Sequence, residues 1–211
     1  MTRLSPNYIR MMPNTNISKA GLSRAKVIEA ASQIADEDGP AGLTMAALAK
    51  RLGVALPSLY SHVRGFEHLK EEIFLAVNSE LSRRMGEAIQ GYAGRDAMRA
   101  LANAYRDYAF SHPGRYAIAM QERPNLANER HQDAALKCGQ IVYGAVRGYG
   151  LLEVDLTNAT RFLRATLHGF VSIEIAGGYA LSDATNPAFE TLLAAVDRAL
   201  STWPGSPTEN I

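Results

Sequence analysis

The stretch from Leu43 to Leu69 reads LTMAALAKRLGVALPSLYSHVRGFEHL, and its apolar spacing decides the fold. Thr44 precedes Met45, Leu48, Ala49 and Leu52 at helical spacing, so its hydroxyl is placed to cap the first free N–H groups of a helix. Gly53 ends that helix, because glycine takes the left-handed conformation without steric cost. Val54 is expected as a buried plug. Pro57 sits early in the next run, where its missing N–H does no harm. Leu59 and Val63 lie four apart on one face, which leaves Ser58, Tyr60, Ser61 and His62 to point elsewhere. Two short helices joined at a glycine turn make a helix-turn-helix. The second helix carries hydroxyls and an imidazole but no carboxylate, a surface suited to phosphate.

Working outward, residues 22–38 form a preceding helix with Ser23 as its cap, Ile28, Ala31, Ile34 and Ala35 as its stripe, and Gly39 as its end. Its acidic end, Asp36-Glu37-Asp38, opposes the helix dipole. Residues 1–20 hold Pro6, Pro13 and several Asn and Ser residues without periodicity and read as a flexible arm, in which Met11 and Met12 are further candidate starts. Beyond the motif, Leu69, Ile73, Val77, Leu81, Met85 and Ile89 advance in steps of four along one face of a long helix ending at Gly91. Further helices are predicted over 96–111, 115–120, 127–149 and 154–176, and a last one runs from Pro187 to Trp203. Their punctuation is His112-Pro113-Gly114, Arg123-Pro124, Gly148-Tyr149-Gly150 and Pro204-Gly205. No segment alternates like a strand. An all-α protein of about nine helices is expected.

Composition narrows the function. The chain has 211 residues, 47% of them apolar, enough to bury a proper core. One cysteine, Cys138, supports neither a disulfide framework nor a metal cluster, and the N-terminus lacks the apolar run of a signal peptide. The most apolar late stretch, Phe170–Leu181, contains Glu174 and is too short to span a bilayer. A cytoplasmic protein without membrane partners is expected. Net charge is only +1, but residues 1–28 contain Arg3, Arg10, Lys19, Arg24 and Lys26 and no acid, beside the candidate DNA face. No nucleophile elbow, phosphate-cradling glycine loop or metal-ligand spacing occurs, so neither an enzyme nor a cofactor or metal site is expected.

The run Leu43-Thr44, Leu48-Ala49, Gly53-Val54, Leu59-Tyr60 and His62-Val63, with the preceding helix, resembles the DNA-binding domain of the tetracycline-repressor (TetR) family of bacterial regulators over about residues 22–75. His112-Pro113-Gly114-Arg115-Tyr116 and Leu167-His168-Gly169-Phe170 resemble the C-terminal domain type named for a Trp-His-Gly motif, with leucine in place of the tryptophan. The resemblance implies a DNA-binding domain over 21–66 and a helical effector-binding and dimerisation domain over 67–204, followed by a polar tail over 205–211. It also implies a homodimer whose last two helices form a four-helix interface. Family members usually carry a lysine at the position of Phe66; Lys70 or Arg64 is then left to meet phosphate.

Site residues follow. Thr44, Tyr60 and His62 are expected at phosphates, Leu56, Pro57 and Ser58 near base edges, with Arg24, Met45 and Lys70 flanking them. Without Arg, Asn or Gln on the second motif helix, bidentate base readout is absent there, so specificity rests on thymine methyls, on shape, and on Arg24 or the arm. For a small-molecule effector, Tyr105, Tyr108, Arg115, Tyr116, Met120, Tyr143, Phe162 and His168 supply the aromatic and polar groups that pockets use. Surplus apolar faces around Phe170, Phe189, Leu192 and Val196 point to the dimer. Partners are thus double-stranded DNA, a second copy and an unidentified effector, and the function is that of a ligand-released repressor. The alternative is a helical small-molecule-binding or enzymatic protein whose helix-turn-helix is structural.

Overall fold

The structure, a computed structural model, describes residues 21–179 and 185–205. The arm expected over 1–20 and nearly all of the polar tail lie outside the described residues. Nine α-helices and no strand occur among the described residues: α1 Arg24–Asp38, α2 Met45–Leu52, α3 Leu56–Leu59, α4 Phe66–Ala88, α5 Gly94–Ser111, α6 Pro113–Gln121, α7 Glu129–Arg147, α8 Glu153–Ile175 and α9 Thr185–Ser201.

Local chemistry explains the first three. The Ser23 hydroxyl accepts from the Lys26 N–H at 3.3 Å and starts α1; the Thr44 hydroxyl accepts from the Ala47 N–H at 3.0 Å and starts α2. Gly53 stops α2 in the left-handed region, with φ of 64°. Helix α3 has four residues, too few to persist alone; it is pinned by Leu59 and Val63, both buried. Tyr60, Ser61 and His62 therefore stand on the turn after α3 rather than on the helix. Two details differ from expectation. Val27 and Ala30 are buried in α1 whereas Ile28 is only partly so, and Val54 is half-buried.

Helix α4, 23 residues long, is the spine: Leu69, Ile73, Val77, Leu81 and Met85 are buried along it, and α1, α5, α6 and α7 all pack on it. On α7, Val142 and Val146 turn inward, but Ala134, Ala135, Cys138 and Ile141 are only partly buried because they border open space beside α4. His131 is buried in their stead, stacked on Phe74 at 5.3 Å and accepting from the Asn125 N–H at 3.2 Å. On α8 the core face is Leu156, Ala159, Leu163, Leu167, Phe170 and Val171. Ala165 and Ile173 of the same helix are exposed. Glu174 is buried against Arg106, the guanidinium Nε donating at 2.9 Å.

Candidate nucleic-acid interface and effector chamber

Leu56, Pro57 and Tyr60 are exposed together on α3 and the turn that follows it, with Ser58 and His62 half-exposed beside them. A concave surface of about 520 Å³ is lined by Leu22, Pro57, Ser58, Ser61 and His62, so the start of α1 borders α3. Thr44 is exposed at the α2 N-terminus, where the free N–H groups favour an anion; the Met45 side chain packs against the core instead. Two expected contacts are otherwise engaged. Lys70 pairs with Glu67 at 2.7 Å and with Glu122 at 3.2 Å, over the Phe66 ring. Arg24 pairs with Glu72 at 2.6 Å. Arg64 is exposed and makes no ion pair with another described side chain.

Helix α1 is docked on the rest of the molecule at both ends. At its start, Glu72 of α4, only 4% exposed, takes Arg24 of α1 and Arg130 of α7, the latter through two hydrogen bonds of 2.6 and 3.0 Å, while His68 lies 3.7 Å away. Burial alone would raise the Glu72 carboxyl; the Arg130 hydrogen bonds and the charges of Arg130 and Arg24 outweigh it and hold the group below the usual carboxylate value. Burial, with the nearby Arg64 and Arg24 charges, holds His68 below the usual histidine value. At the other end, Asp36 accepts from the Arg115 backbone N–H at 2.8 Å and from its Nε at 2.7 Å, while Glu37 takes Arg51. Two of the three acids at the α1 terminus thus have cationic partners, which offsets their conflict with the helix dipole. Arg115, expected among effector contacts, belongs to this junction. Beside it, Gly114 lies so close to α1 that a Cβ there would stand 1.7 Å from the Ala35 carbonyl oxygen. Tyr108 is also on this side of the molecule, in a pocket with Glu29, Glu80, Arg84, His112 and Arg115, and burial pushes its phenol up to about 12.

The next residue along α6 faces the other way. The Tyr116 hydroxyl lies 2.8 Å from that of Tyr105 and 2.8 Å from His168 Nδ1, with Ser172 Oγ at 3.3 Å from the same nitrogen. Burial, followed by the Arg164 charge, holds His168 below its usual value. A neutral His168 then accepts at Nδ1 from Tyr116, which accepts from Tyr105. Burial raises the Tyr105 phenol, whose surroundings include Tyr116, Cys138 and Arg164. Cys138 and Arg164 in turn line a cavity of about 170 Å³ between α4, α6, α7 and α8, with Phe74, Met120, Val142 and Thr160 among its walls. Tyr105, Tyr116 and His168 are therefore brought together in one hydrogen-bonded cluster, while Met120 lines the cavity itself. Tyr143 and Phe162 join neither: the Tyr143 hydroxyl donates to Glu153 at the α7–α8 turn, and Phe162 packs edge-on against Trp203 at 5.8 Å.

Of the residues expected at a dimer face, Phe170, Phe189 and Val196 are buried within the subunit itself. The apolar period of α8 and α9 marks the faces that the subunit covers first, and large side chains go there. What stays uncovered is a mixed face: part-exposed Phe162 and Gly169 with exposed Ala165 and Ile173 on α8, and Ala188, Leu192, Ala195 and Ala199 on α9, with only Leu192 among those expected. The sequence also gave no hint of Glu72 or Arg130 as partners, since residues 58 apart in the chain meet only through the fold.

Residues 27–77 match the family described as bacterial regulatory proteins, tetR family, and residues 98–196 match the tetracyclin repressor-like C-terminal domain. The chain is 34% identical over 152 residues to the uncharacterized HTH-type transcriptional regulator YobS of Bacillus subtilis (strain 168), covering 72% of this chain and 78% of that one. Its fold is similar to that of BioQ with its double-stranded DNA operator (TM-score 0.60, 23% identity, 83% of this chain and 98% of that one). It is similar also to a TetR variant from Acinetobacter baumannii AYE in complex with minocycline (TM-score 0.63, 21% identity, 88% and 98%). With the helix-turn-helix, the long α4 and the helical chamber already in place, these matches fix the identity: the chain belongs to the TetR family of bacterial regulatory proteins.

Proposed function

We propose that the protein is a homodimeric repressor whose grip on a palindromic operator is released by a small molecule in the chamber bordered by Tyr105, Tyr116 and His168. The single observation that carries this reading is the run Gly114-Arg115-Tyr116: its first two residues touch α1 and its third bonds His168 of α8, one turn from the chamber residue Arg164. A ligand that moves Tyr116 moves the groups that hold α1, and with it α3. Affinity for DNA falls only if the ligand binds the displaced arrangement better.

In this reading residues 21–66 read DNA and 67–204 bind effector and pair the subunits. The uncovered faces of α8 and α9 meet their copies across the dimer. Leu56, Pro57 and Ser58 approach base edges; Thr44, Tyr60 and His62 meet phosphates, joined by Arg64 in place of the engaged Lys70. Two copies of α3 then reach successive major grooves, roughly 34–36 Å apart. The test is binding of the purified protein to its own upstream intergenic DNA across a salt series. Affinity that falls steeply with salt, and falls about equally on all sequences in Tyr60→Ala, is expected. Salt-independent binding, or no enrichment from random-sequence DNA, overturns the reading in favour of a structural helix-turn-helix.

A further inference from the structure

The chamber between α4, α6, α7 and α8 has cations along its wall that the fold leaves without counter-charge. At the helix junctions the arginines are paired: Arg24 and Arg130 on Glu72, Arg115 on Asp36, Arg106 on Glu174. Arg161 and Arg164, on adjoining turns of α8, both line the chamber and both reach solvent. Neither forms an ion pair with a described carboxylate; Arg161 has only Asn158 Oδ1, at 3.4 Å. The acid among the lining residues, Glu122, already belongs to Lys70. Arg164 stands one turn from His168 on α8, and its charge helps hold that imidazole below its usual value.

A second, independent observation lies one turn before Arg164. Thr160 lines the same chamber, and its hydroxyl oxygen is buried without a hydrogen-bond partner. Buried hydroxyls are nearly always satisfied, and this one is left over beside an open volume. The remaining walls include Phe74, Ala119, Met120, Pro124 and Val142, all apolar. The volume of about 170 Å³ is close to that of the roughly 150 Å³ apolar cavity known to hold benzene.

We propose that the chamber takes a small organic monoanion: a carboxylate on an apolar body about the size of one six-membered ring. Its carboxylate meets Arg161 and Arg164 and accepts from the Thr160 hydroxyl, while the ring lies among Phe74, Met120 and Val142. An anion there gains the charge-assisted hydrogen bonds that the arginines lack within the fold, whereas a neutral isostere does not. The inference rests on the reading of this chamber as the effector site.

The probes are benzoate, its neutral isostere benzamide, and the cation benzylamine, titrated calorimetrically into the purified full-length protein at fixed salt. Benzoate binding at least tenfold tighter than benzamide is expected, with benzylamine weakest. Arg161→Met/Arg164→Met, which keeps the apolar stems, is expected to remove that preference; Thr160→Val, which removes the donor, is expected to weaken benzoate severalfold. Met120→Trp, which fills the chamber, is expected to abolish both. Equal binding of benzoate and benzamide, or an unchanged preference in the double variant, overturns the anion assignment. So does the absence of any benzoate binding by the folded wild type. If a neutral probe still binds and Met120→Trp removes it, the chamber reading survives while the anion proposal falls. If benzoate binds as expected but leaves DNA affinity unchanged, the ligand class holds and the effector role falls.

Discussion

The two polar regions of this molecule treat arginine in opposite ways. At the junctions of α1, each guanidinium is matched inside the fold: Arg24 and Arg130 close on Glu72, and Arg115 closes on Asp36. In the chamber wall, Arg161 and Arg164 face no free carboxylate, and in the adjoining cluster Tyr105, Tyr116 and His168 are neutral and satisfy one another. A paired, partly desolvated charge holds elements together and is costly to break, whereas an unpaired charge at a wet rim costs the fold little and remains free for a guest. The difference separates the parts that fix where α1 lies from the parts that are able to respond.

That contrast is open to attack at several points. The largest effect is expected at Gly114→Ala. A Cβ 1.7 Å from the Ala35 carbonyl oxygen forces α1 and α6 apart, at about 3 kcal/mol, the upper range for overpacking against backbone. Urea unfolding measures the loss, and near-wild-type stability would show that the junction is loose. Next comes Glu72→Ala, which strips Arg24 and Arg130 of their shared partner. About 2–3 kcal/mol is expected, below the full cost of breaking a buried pair because both arginines keep much of their water.

A smaller effect is expected from pH. His68 and His168 both have values below the ordinary 6.5, so the fold favours their neutral forms. In the unfolded chain they bind protons first as pH falls, so their contribution is complete above about pH 6.5 and is lost as acidity rises through that value. A lower melting temperature at pH 5.5 than at pH 7.5 checks this, and His168→Gln should flatten part of the difference. Glu72, held below its usual value, opposes no part of this trend, since its contribution persists until the pH drops into the carboxylate range. The smallest effect is expected at Arg164→Ala, within about 0.5 kcal/mol in the same unfolding assay. A loss comparable to that of Glu72→Ala would mean that the chamber arginines are structural too, and the distinction between the regions would collapse.

What the sequence made legible was whatever is encoded within a few turns of chain. Caps at Ser23 and Thr44, the left-handed Gly53 and the four-residue rhythm of α4 each depend on neighbours no more than four positions away, so the helix-turn-helix and the all-helical plan could be read directly. The aromatic and imidazole groups beside the chamber were also visible as residue types: Tyr105, Tyr116 and His168 converge on one another, and Met120 lines the cavity. Tyr108, Tyr143 and Phe162 carried the same signal and went elsewhere, because an aromatic at helical spacing says that it will be packed, not against what.

Tertiary structure alone decided which charges pair and which apolar face is left over. Nothing local links Glu72 to Arg130, or Asp36 to Arg115, 79 positions apart. It also decided that Phe170, Phe189 and Val196 serve the subunit's own core while Ala165 and Ile173 of α8 and Ala188 and Ala195 of α9 stay outside. Periodicity reports that a helix has an apolar stripe but not which neighbour covers it. Helix formation is governed by short-range hydrogen bonds and side-chain spacing, which the sequence states outright. Pairing and burial are governed by the three-dimensional meeting of distant segments, and only the folded chain brings those together.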